Sequence, residues 1–265
     1  MHRVLKLRGG LLMSMDNWLS FEMHDEGVAL VTMAQSPVNA MDVETLGDLA
    51  EMFDRLAENK DVKAVVLASG LKVFSAGLDL KKAQAYDVHQ QNQIVEGLDY
   101  TFRKLFSFPK PLIAAIEGAA IAGGFFPVLC SDYRVAGPKA SFGLAEVRVG
   151  VGLPAGTLEI ARAMLSPNDL RRILQSGKPV GAQDALEAGI VDQLVSAGEV
   201  LNQALFAAKD YAQLPPNAYQ TVKMQVREGT IALIDQAITG SAQGQDEGWF
   251  TQETKAAMAK MIAAR

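Results

Sequence analysis

The stretch 113–132, IAAIEGAAIAGGFFPVLCSD, decides the fold of this chain. The run Leu112–Ile116 is small and apolar, has the length of a buried strand, and is ended by Gly118. A tight connection then leads to Gly123 and an apolar helix with Pro127 in its first turn. Proline is tolerated there because the first helical N–H groups have no intrahelical partner. The stretch therefore predicts a strand, a glycine turn and a helix.

The glycine turn is also a candidate site for a ligand. Backbone N–H groups at a helix start point outward with the positive end of the helix dipole behind them. Gly123 is thus a candidate donor to a negative charge that develops on a substrate oxygen, and its missing Cβ lets a ligand come close. Two glycines before a helix also serve close packing of a helix on a strand, and from this stretch alone both interpretations stay open.

Composition limits the function classes. The 265 residues are 49% hydrophobic and carry a net charge of -5, which is typical of a soluble globular enzyme and argues against a nucleic-acid surface. We expect no membrane span, because no apolar run reaches the roughly 18 residues required. Cys130 is the single cysteine, so the sequence allows no intrachain disulfide and favours a reducing compartment, with this thiol serving packing. His2, His24 and His89 lie in peripheral segments, and we expect no metal site.

Further strands and helices extend the pattern on both sides. Residues 19–23 and 28–33 predict a hairpin through Asp25-Glu26-Gly27, and Asp42 is a plausible N-cap for a helix that ends near Asn59. Strands are also predicted at 62–68 and 133–136, with a long helix at 86–106. Alternating strands and helices predict a parallel sheet, so the loops after residues 68 and 116 should meet at one sheet edge, where ligands bind in such folds.

Helices dominate the second half. We predict them near 157–164, 167–175, 182–188, 199–213, 218–227, 231–239 and 247–264, with a short strand at 190–195. The chain has no glycine- or serine-rich linker and no repeat. We therefore divide it into a loose N-terminal extension (1–16), a core (17–200) and a C-terminal helical region (201–265). The last helix is amphipathic at Phe250, Ala257, Met258 and Met261, which favours core or subunit interface over a membrane surface.

Five ordered motifs resemble the crotonase superfamily, also called the enoyl-CoA hydratase/isomerase family. They are PVNAM (37–41), VFSAGLDL (73–80), GAAIAGGFFPVLCSDYRV (118–135), FGLAEVRVGVGLPAG (142–156) and GAQDALEAGIVDQLV (181–195). The resemblance covers nearly everything from about residue 17 to 195. It implies an α/β fold, a crotonase-like spiral of ββα units, with a C-terminal helical region that builds a trimer, often paired as a dimer of trimers.

The resemblance also implies an acyl-CoA site. The family stabilises a thioester enolate with two backbone N–H groups, which fall here on Leu78 and Gly123. Carbonyls around Ser75 and Ala76 would meet the adenine of coenzyme A, and Lys81 and Lys82 are either phosphate contacts or solvated surface lysines. The list of predicted substrate contacts is completed by Gly77, Asp79, Leu80, Phe125, Phe126 and Leu153.

The reaction depends on the acidic residues that the family uses. Hydratases carry two glutamates, and the matching positions here hold Phe126 and Glu146. Phenylalanine has no proton chemistry, so hydration by two carboxylates is not expected, whereas one carboxylate beside an enolate can shift a double bond. The chain thus looks most like a monofunctional Δ3,Δ2-enoyl-CoA isomerase with Glu146 as its base. Without the resemblance, Glu146 would more often be a structural carboxylate. Glu117, Asp79 and Asp132 are expected to be structural.

Several alternatives and partners complete these predictions. A hydratase or dehydratase with another base, another acyl-CoA-specific crotonase and a non-catalytic acyl-CoA-binding relative stay open. We expect a cytoplasmic enzyme with no permanent cofactor, with coenzyme A as part of the substrate, and with no nucleic-acid or membrane partner. The basic residue that many relatives carry near PVNAM is absent where Gln35-Ser36 stand, which puts the phosphate contacts in doubt.

Overall fold

The computed structural model describes residues 13–15, 18–241 and 248–263. Its strands are β1 (Met13–Met15), β2 (Leu19–Met23), β3 (Val28–Met33), β4 (Ala40–Met41), β5 (Ala64–Ser69), β6 (Gly77–Leu78), β7 (Leu112–Ile116), β8 (Ala119–Ile121), β9 (Tyr133–Ala136), β10 (Ser141–Gly143), β11 (Val180–Gly181) and β12 (Gln193–Leu194). Its α-helices are α1 (Val43–Glu58), α2 (Leu80–Ala83), α3 (Val88–Phe106), α4 (Phe126–Cys130), α5 (Glu146–Val149), α6 (Ala155–Met164), α7 (Pro167–Ser176), α8 (Ala182–Glu187), α9 (Val200–Ala212), α10 (Pro216–Ser241) and α11 (Gln252–Ala263).

The main sheet is parallel at its centre, as the strand spacing predicted. Its order is β1-β2-β3-β5-β7-β9-β12, and β3, β5, β7, β9 and β12 run parallel to one another. Only the predicted hairpin of β2 and β3, together with β1, is antiparallel. Every residue of β7 is buried, because helices cover both faces of the sheet.

Successive strands alternate between the main sheet and two smaller ones. The chain runs β3-β4-α1, then β5-β6-α2, then β7-β8-α4, then β9-β10-α5. In the smaller sheets β4 pairs with β6, and β10 pairs with β8 and β11. This repeat is the predicted spiral of ββα units, and it carries each second strand and the following loop to one edge of the molecule.

Two helical layers hold the main sheet. On one face, α1 and α3 pack into the large apolar cluster that contains Phe53, Phe102 and Leu112. On the other face, α9 buries Val200, Ala204, Ala208 and Ala212 against the strands. These four residues recur every fourth position, and such spacing places them on one side of the helix.

Side-chain anchors set the entry points of the elements. Asp42 caps α1 as predicted, accepting the Thr45 N–H at 2.9 Å. Asp132, predicted as a strand-end anchor, accepts the Leu112 N–H at 2.8 Å and binds two cations of α10, Lys223 at 2.6 Å and Arg227 at 2.9 Å. This buried cluster attaches the long C-terminal helix to the ends of the central strands.

Three sequence predictions need correction. The connection between β7 and α4 is longer than a glycine turn, because β8 and a 3-10 turn at Ala122–Phe125 intervene. The helices predicted at 218–227 and 231–239 are the single helix α10. Gly229 lies between the two predicted helices, but glycine in a helix interior costs only about 1 kcal/mol, and extensive packing of α10 on α6 outweighs that cost. The strand predicted at 190–195 is limited to β12.

The predicted terminal segments lie partly outside the described residues. Of the extension 1–16, the structure describes residues 13–15, which pair with β2 as β1. The last helix was predicted from residue 247, which is not described, and the structure has α11 begin at Gln252.

Candidate active site

The two glycine-bearing loops meet at the sheet edge, as the parallel layout predicted. Gly77 has φ +75°, and a Cβ at this position would lie 2.8 Å from the Ile121 carbonyl oxygen and 2.9 Å from the Gly123 nitrogen. On the opposite side, a Cβ on Gly124 would lie 2.4 Å from the Ser75 carbonyl oxygen. Only glycine permits either approach, so the backbones of the two loops are in direct contact.

This contact brings two N–H groups to one place. Asp79 donates its N–H to the Met41 carbonyl at 2.8 Å, and N–H groups alternate sides along a strand, so the Leu78 N–H points away from β4. Gly123 is the second residue of the 3-10 turn, where N–H groups precede the first intrahelical hydrogen bond. Leu78 and Gly123 both line one cavity.

That cavity is small and almost entirely apolar. It has a volume of about 60 Å³. Its walls are formed by Ala76, Leu78, Leu80, Leu98, Ile121, Ala122, Gly123, Phe126, Ala145, Glu146, Val149, Val151, Leu153, Pro154, Thr157, Trp249, Phe250, Met258 and Met261. Two polar side chains among them are already engaged: the Thr157 hydroxyl donates to the Pro154 carbonyl at 2.8 Å and the Trp249 indole donates to the Gly152 carbonyl at 3.2 Å.

Glu146 is the charged residue of this wall. It begins α5 directly after β10, and its side chain is buried, with 8% exposure. Its Oε2 has no hydrogen-bond partner in the part of the chain that the structure describes. Burial raises the pKa of this carboxyl to about 7, because a low-dielectric site disfavours the charged form. Glu146 is thus a carboxyl that exchanges a proton near neutral pH beside two backbone donors.

A second buried carboxyl lies behind the cavity. Asp99 on α3 accepts the Thr157 N–H at 2.9 Å and so caps the first turn of α6, where Pro154 offers no side-chain cap. Burial raises the pKa of Asp99 to about 6. Its contacts are to the backbone of α6, and it does not line the cavity, so we interpret it as structural.

The predicted substrate contacts separate into three groups. Ala76, Leu80, Phe126 and Leu153 line the cavity with Leu78, Gly123 and Glu146. Gly77 shapes the turn, and Asp79 caps α2 by accepting N–H groups of Lys81 and Lys82. Ser75 and Phe125 are both fully buried outside the cavity: the Ser75 hydroxyl donates to the Asn39 carbonyl at 2.7 Å, and the Phe125 ring packs on Phe142 at 5.6 Å.

A groove of about 310 Å³ adjoins the cavity. It is lined by Gln35, Ser36, Pro37, Val38, Ala40, Ala76, Leu78, Asp79, Leu80, Lys81, Met261 and Ile262. Lys81 therefore faces the groove, whereas the Lys82 ammonium forms a salt bridge with Asp42. The two lysines that the sequence offered together thus have different surroundings.

Sequence reasoning missed the walls that come from far along the chain. Four residues near the C-terminal end line the cavity: Trp249, Phe250, Met258 and Met261. The apolar stripe predicted for the last helix included Phe250, Met258 and Met261, and it indicated that they are buried without indicating a cavity. Leu98, Val149, Val151 and Thr157 carried no signal, since apolar helix and loop residues look alike wherever they pack.

Three features find no support in the described residues: a metal site, a reactive cysteine and a membrane-spanning helix. Within the described ranges, no group of three or more His, Cys, Asp or Glu side chains is placed to hold a metal ion. Cys130 is buried, and burial raises the pKa of its thiol to about 12, which makes it an inert packing residue. Among the helices described, none is long and apolar enough to cross a membrane.

The fold and site define an α/β protein with two backbone donors and one buried carboxyl around an apolar cavity, and comparisons with known proteins agree with this class. The family model for enoyl-CoA hydratase/isomerase matches residues 23–260. The chain therefore belongs to the enoyl-CoA hydratase/isomerase family, and is an enzyme of that family by descent.

Individual relatives support the same family. The probable enoyl-CoA hydratase EchA17 of Mycobacterium tuberculosis is 28% identical over 206 residues, which cover 77% of this chain and 78% of that protein. An M. tuberculosis structure described as an enoyl-CoA isomerase is 30% identical, covers 87% of this chain and 100% of its own, and has a TM-score of 0.80. Another structure of the same protein describes it as the probable enoyl-CoA hydratase EchA3. Human mitochondrial Δ3-Δ2-enoyl-CoA isomerase, at 24% identity, a TM-score of 0.82 and coverage of 96% and 97%, shares the fold.

The contact between the two glycine loops gives a first testable prediction. Gly77→Ala should lower the melting temperature far more than Gly189→Ala, measured by circular dichroism. Both glycines have positive φ, +75° and +69°, and alanine in that region costs about 1–2 kcal/mol. At Gly189 a Cβ meets nothing within 4 Å, whereas at Gly77 it meets the backbone of the opposing loop. Equal losses would contradict the close approach.

The burial of Glu146 gives a second prediction, on stability and pH. With a folded-state pKa of about 7, above the unfolded value near 4.5, the folded state binds the proton more tightly, so stability falls as pH rises between these values. Glu146→Gln cannot ionise and should escape this loss. The difference in unfolding free energy between Glu146→Gln and the wild type, measured by urea denaturation, should therefore change by roughly 2–3 kcal/mol in favour of the variant from pH 5 to pH 8.

The matched control for that comparison is Glu96→Gln, at an exposed position of α3. The Glu96 carboxylate is exposed to water in both the folded and the unfolded state. The stability of Glu96→Gln should therefore follow the wild-type pH dependence. A parallel pH dependence in the wild type and Glu146→Gln would mean that the Glu146 carboxyl is solvated, and the site description would be wrong.

Proposed function

We propose that this protein is an enoyl-CoA isomerase that moves the double bond of a 3-enoyl-CoA to the 2-position. One observation carries the proposal: the apolar cavity with the two backbone donors contains a single carboxyl, Glu146, and its Oε2 is buried without a partner among the described residues. A double-bond shift needs one group that takes a proton from one carbon and returns it to another. The similar M. tuberculosis protein is described both as an enoyl-CoA isomerase and as a probable enoyl-CoA hydratase, so it supports the family and does not favour this reaction over hydration.

The mechanism follows from the donors and the base. The thioester oxygen accepts the N–H groups of Leu78 and Gly123, which stabilise the dienolate by roughly 3 kcal/mol per donor. Glu146 removes a proton from C2 and, after the electrons have moved, gives it back at C4. Because a pKa of about 7 leaves Glu146 partly ionised at neutral pH, the group serves as base in the first step and as acid in the second.

The apolar walls disfavour a water as reactant. Phe126 occupies the position where hydratases of the family carry a second glutamate, and its ring stacks on Phe102 at a centroid distance of 5.1 Å. A buried water needs two to four polar partners. The Thr157 hydroxyl and the Trp249 indole N–H already donate hydrogen bonds to backbone carbonyls, so they are not available as donors to a water. Glu146 alone is a poor site for an attacking water.

Hydration is the second candidate, because EchA17, the relative from M. tuberculosis, is a probable enoyl-CoA hydratase. The same donors would then stabilise the enolate formed when water adds to a 2-enoyl-CoA. Coenzyme A enters either reaction as part of the substrate, with its phosphates near Lys81 in the groove. We propose no permanently bound cofactor, and a reducing compartment such as the cytoplasm suits the free thiol of Cys130.

A substrate comparison tests the proposed reaction. The purified protein should conjugate 3-hexenoyl-CoA, which raises the ultraviolet absorbance of the enoyl thioester, and should leave crotonyl-CoA unhydrated. Glu146→Gln should lower turnover by about 10²–10⁴-fold, since it removes the proton carrier, while its affinity for hexanoyl-CoA measured by calorimetry stays within about threefold. Glu96→Gln is the control and should behave as wild type.

Each alternative predicts a different outcome. Hydration of crotonyl-CoA without conjugation of 3-hexenoyl-CoA would replace the isomerase with a hydratase. Unchanged turnover in Glu146→Gln would remove Glu146 from the mechanism. Tight binding of hexanoyl-CoA with neither reaction would favour a non-catalytic acyl-CoA-binding protein.

We also propose that the chain assembles as a trimer through α10. Three large apolar residues of this helix are exposed in the single chain: Val222 at 58%, Val226 at 77% and Leu233 at 52%. Apolar patches of this kind on a soluble protein mark interaction surfaces. A shared interface of three copies would cover them.

Light scattering tests the assembly. The wild type should have three or six times the chain mass of 28.4 kDa. Val226→Asp should lower the measured mass toward that of a single chain, because the substitution places a charge in the interface. Leu201→Asp on α9 is the control for added charge and should keep the wild-type mass. A wild-type monomer at micromolar concentration would contradict the trimer.

A further inference from the structure

The C-terminal segment, residues 248–263, forms one side of the cavity. Trp249, Phe250, Met258 and Met261 all line it, and Phe250 and Met258 are buried, with 8% and 0% exposure. We propose that Phe250 is the end wall of the acyl pocket and restricts the substrate to short, unsubstituted acyl chains. This inference rests on the proposed function in requiring an acyl-CoA ligand.

The direction of the acyl chain follows from which residues the cavity and the groove share. Ala76, Leu78, Leu80 and Met261 line both, so the cavity opens to the groove at these residues. Trp249 and Phe250 line the cavity and do not line the groove. A thioester held at Leu78 with its coenzyme A portion in the groove therefore places its acyl chain in the cavity, whose wall includes Phe250.

Phe250 and the neighbouring Trp249 are each held in place by a hydrogen bond. Its N–H donates to Gln91 Oε1 at 2.8 Å, and Gln91 Nε2 in turn donates to the Tyr86 carbonyl at 3.0 Å. The neighbouring Trp249 ring stacks on the Phe250 ring at 5.4 Å, and the Trp249 indole donates to the Gly152 carbonyl. The wall is thus attached to α3 and to the loop that follows α5.

The start of α11 is attached in the same way. Thr254 donates its hydroxyl to the Gly150 carbonyl at 2.7 Å. A Cβ on Gly150 would lie 3.1 Å from the Thr254 Cα, so the absence of a side chain lets the helix lie close against the end of α5. Since α5 carries Glu146, the reacting carboxyl and the end wall belong to one packed unit.

The size and polarity of the pocket define the substrate. A cavity of about 60 Å³ is far below the roughly 300 Å³ of sites for drug-sized ligands, so it takes a short chain. A longer chain has to displace the buried Phe250 ring, whose backbone N–H is bonded to Gln91, and a hydroxyl on the chain finds no unpaired polar side chain beyond Glu146 among the described walls. Short, straight hydrocarbon chains meet both conditions.

Removing the ring tests the proposal. We expect wild type to prefer 3-hexenoyl-CoA to 3-dodecenoyl-CoA in kcat/KM, and Phe250→Ala to lower this preference by about tenfold or more, since a pocket discriminates by roughly that factor per methylene. Phe206→Ala is the matched control: Phe206 is 68% exposed on α9, outside the cavity, and its loss should leave the preference unchanged. Circular dichroism verifies folding, and Phe250→Leu replaces Phe250→Ala if the larger deletion unfolds the chain.

Binding separates this inference from the proposed reaction. Dissociation constants of hexanoyl-CoA and dodecanoyl-CoA, measured by calorimetry, should shift in the same ratio as kcat/KM. A shifted ratio in Phe250→Ala with no isomerisation by the wild type would support the end wall and reject the isomerase. Isomerisation by the wild type with an unchanged chain-length preference in both Phe250 variants would overturn the end wall and keep the isomerase.

Discussion

The close approach of two backbones at Gly77 and Gly123 is the constraint on which the site depends. A side chain at Gly77 would collide with the opposing backbone, and one at Gly124 would collide with the Ser75 carbonyl. The parallel sheet makes the approach possible, because β5 and β7 end at the same edge and send their loops to the same place. The positions of the Leu78 and Gly123 N–H groups, which we propose as donors, are consequently fixed by the fold and require no side chain of their own.

The carboxyl beside these donors has a cost in stability that is tied to its chemistry. The apolar walls that raise the pKa of Glu146 to about 7 would, in the proposed reaction, also exclude water from the reacting carbons. A solvated glutamate would be ionised at neutral pH and would return a proton poorly. The same burial makes the ionised form of Glu146 unfavourable in the folded protein. The protein is therefore less stable at neutral pH than it would be with a neutral side chain at the position proposed for proton transfer.

The sequence predicted the central fold well because its signals are local. The strands at 112–116 and 133–136 have the observed bounds, and the Asp42 cap stands at the start of α1, since apolar runs and capping residues act over a few positions. The short strands β4, β6, β8 and β10 were missed, because two or three residues carry no periodicity. Helix α10 was predicted as two helices, 218–227 and 231–239, but it continues through Gly229, where long-range packing overrides the local preference of glycine.

The residues of the site likewise fall into those that local motifs predict and those that only the folded structure brings together. Motifs identified the loops of Leu78, Gly123 and Glu146, and the fold brings all three to one cavity. The wall at Phe250 lies more than a hundred residues from Glu146 in sequence, and an apolar stripe on a last helix fits a core, an interface or a pocket equally well. Its hydrogen bond to Gln91 distinguishes these possibilities. The Phe250 N–H donates to the buried Gln91 side chain of α3, and this bond fixes the position of the C-terminal segment over the cavity. Variation in this segment would therefore change acyl-chain selection while leaving the donors and the carboxyl intact, which separates specificity from chemistry within one fold.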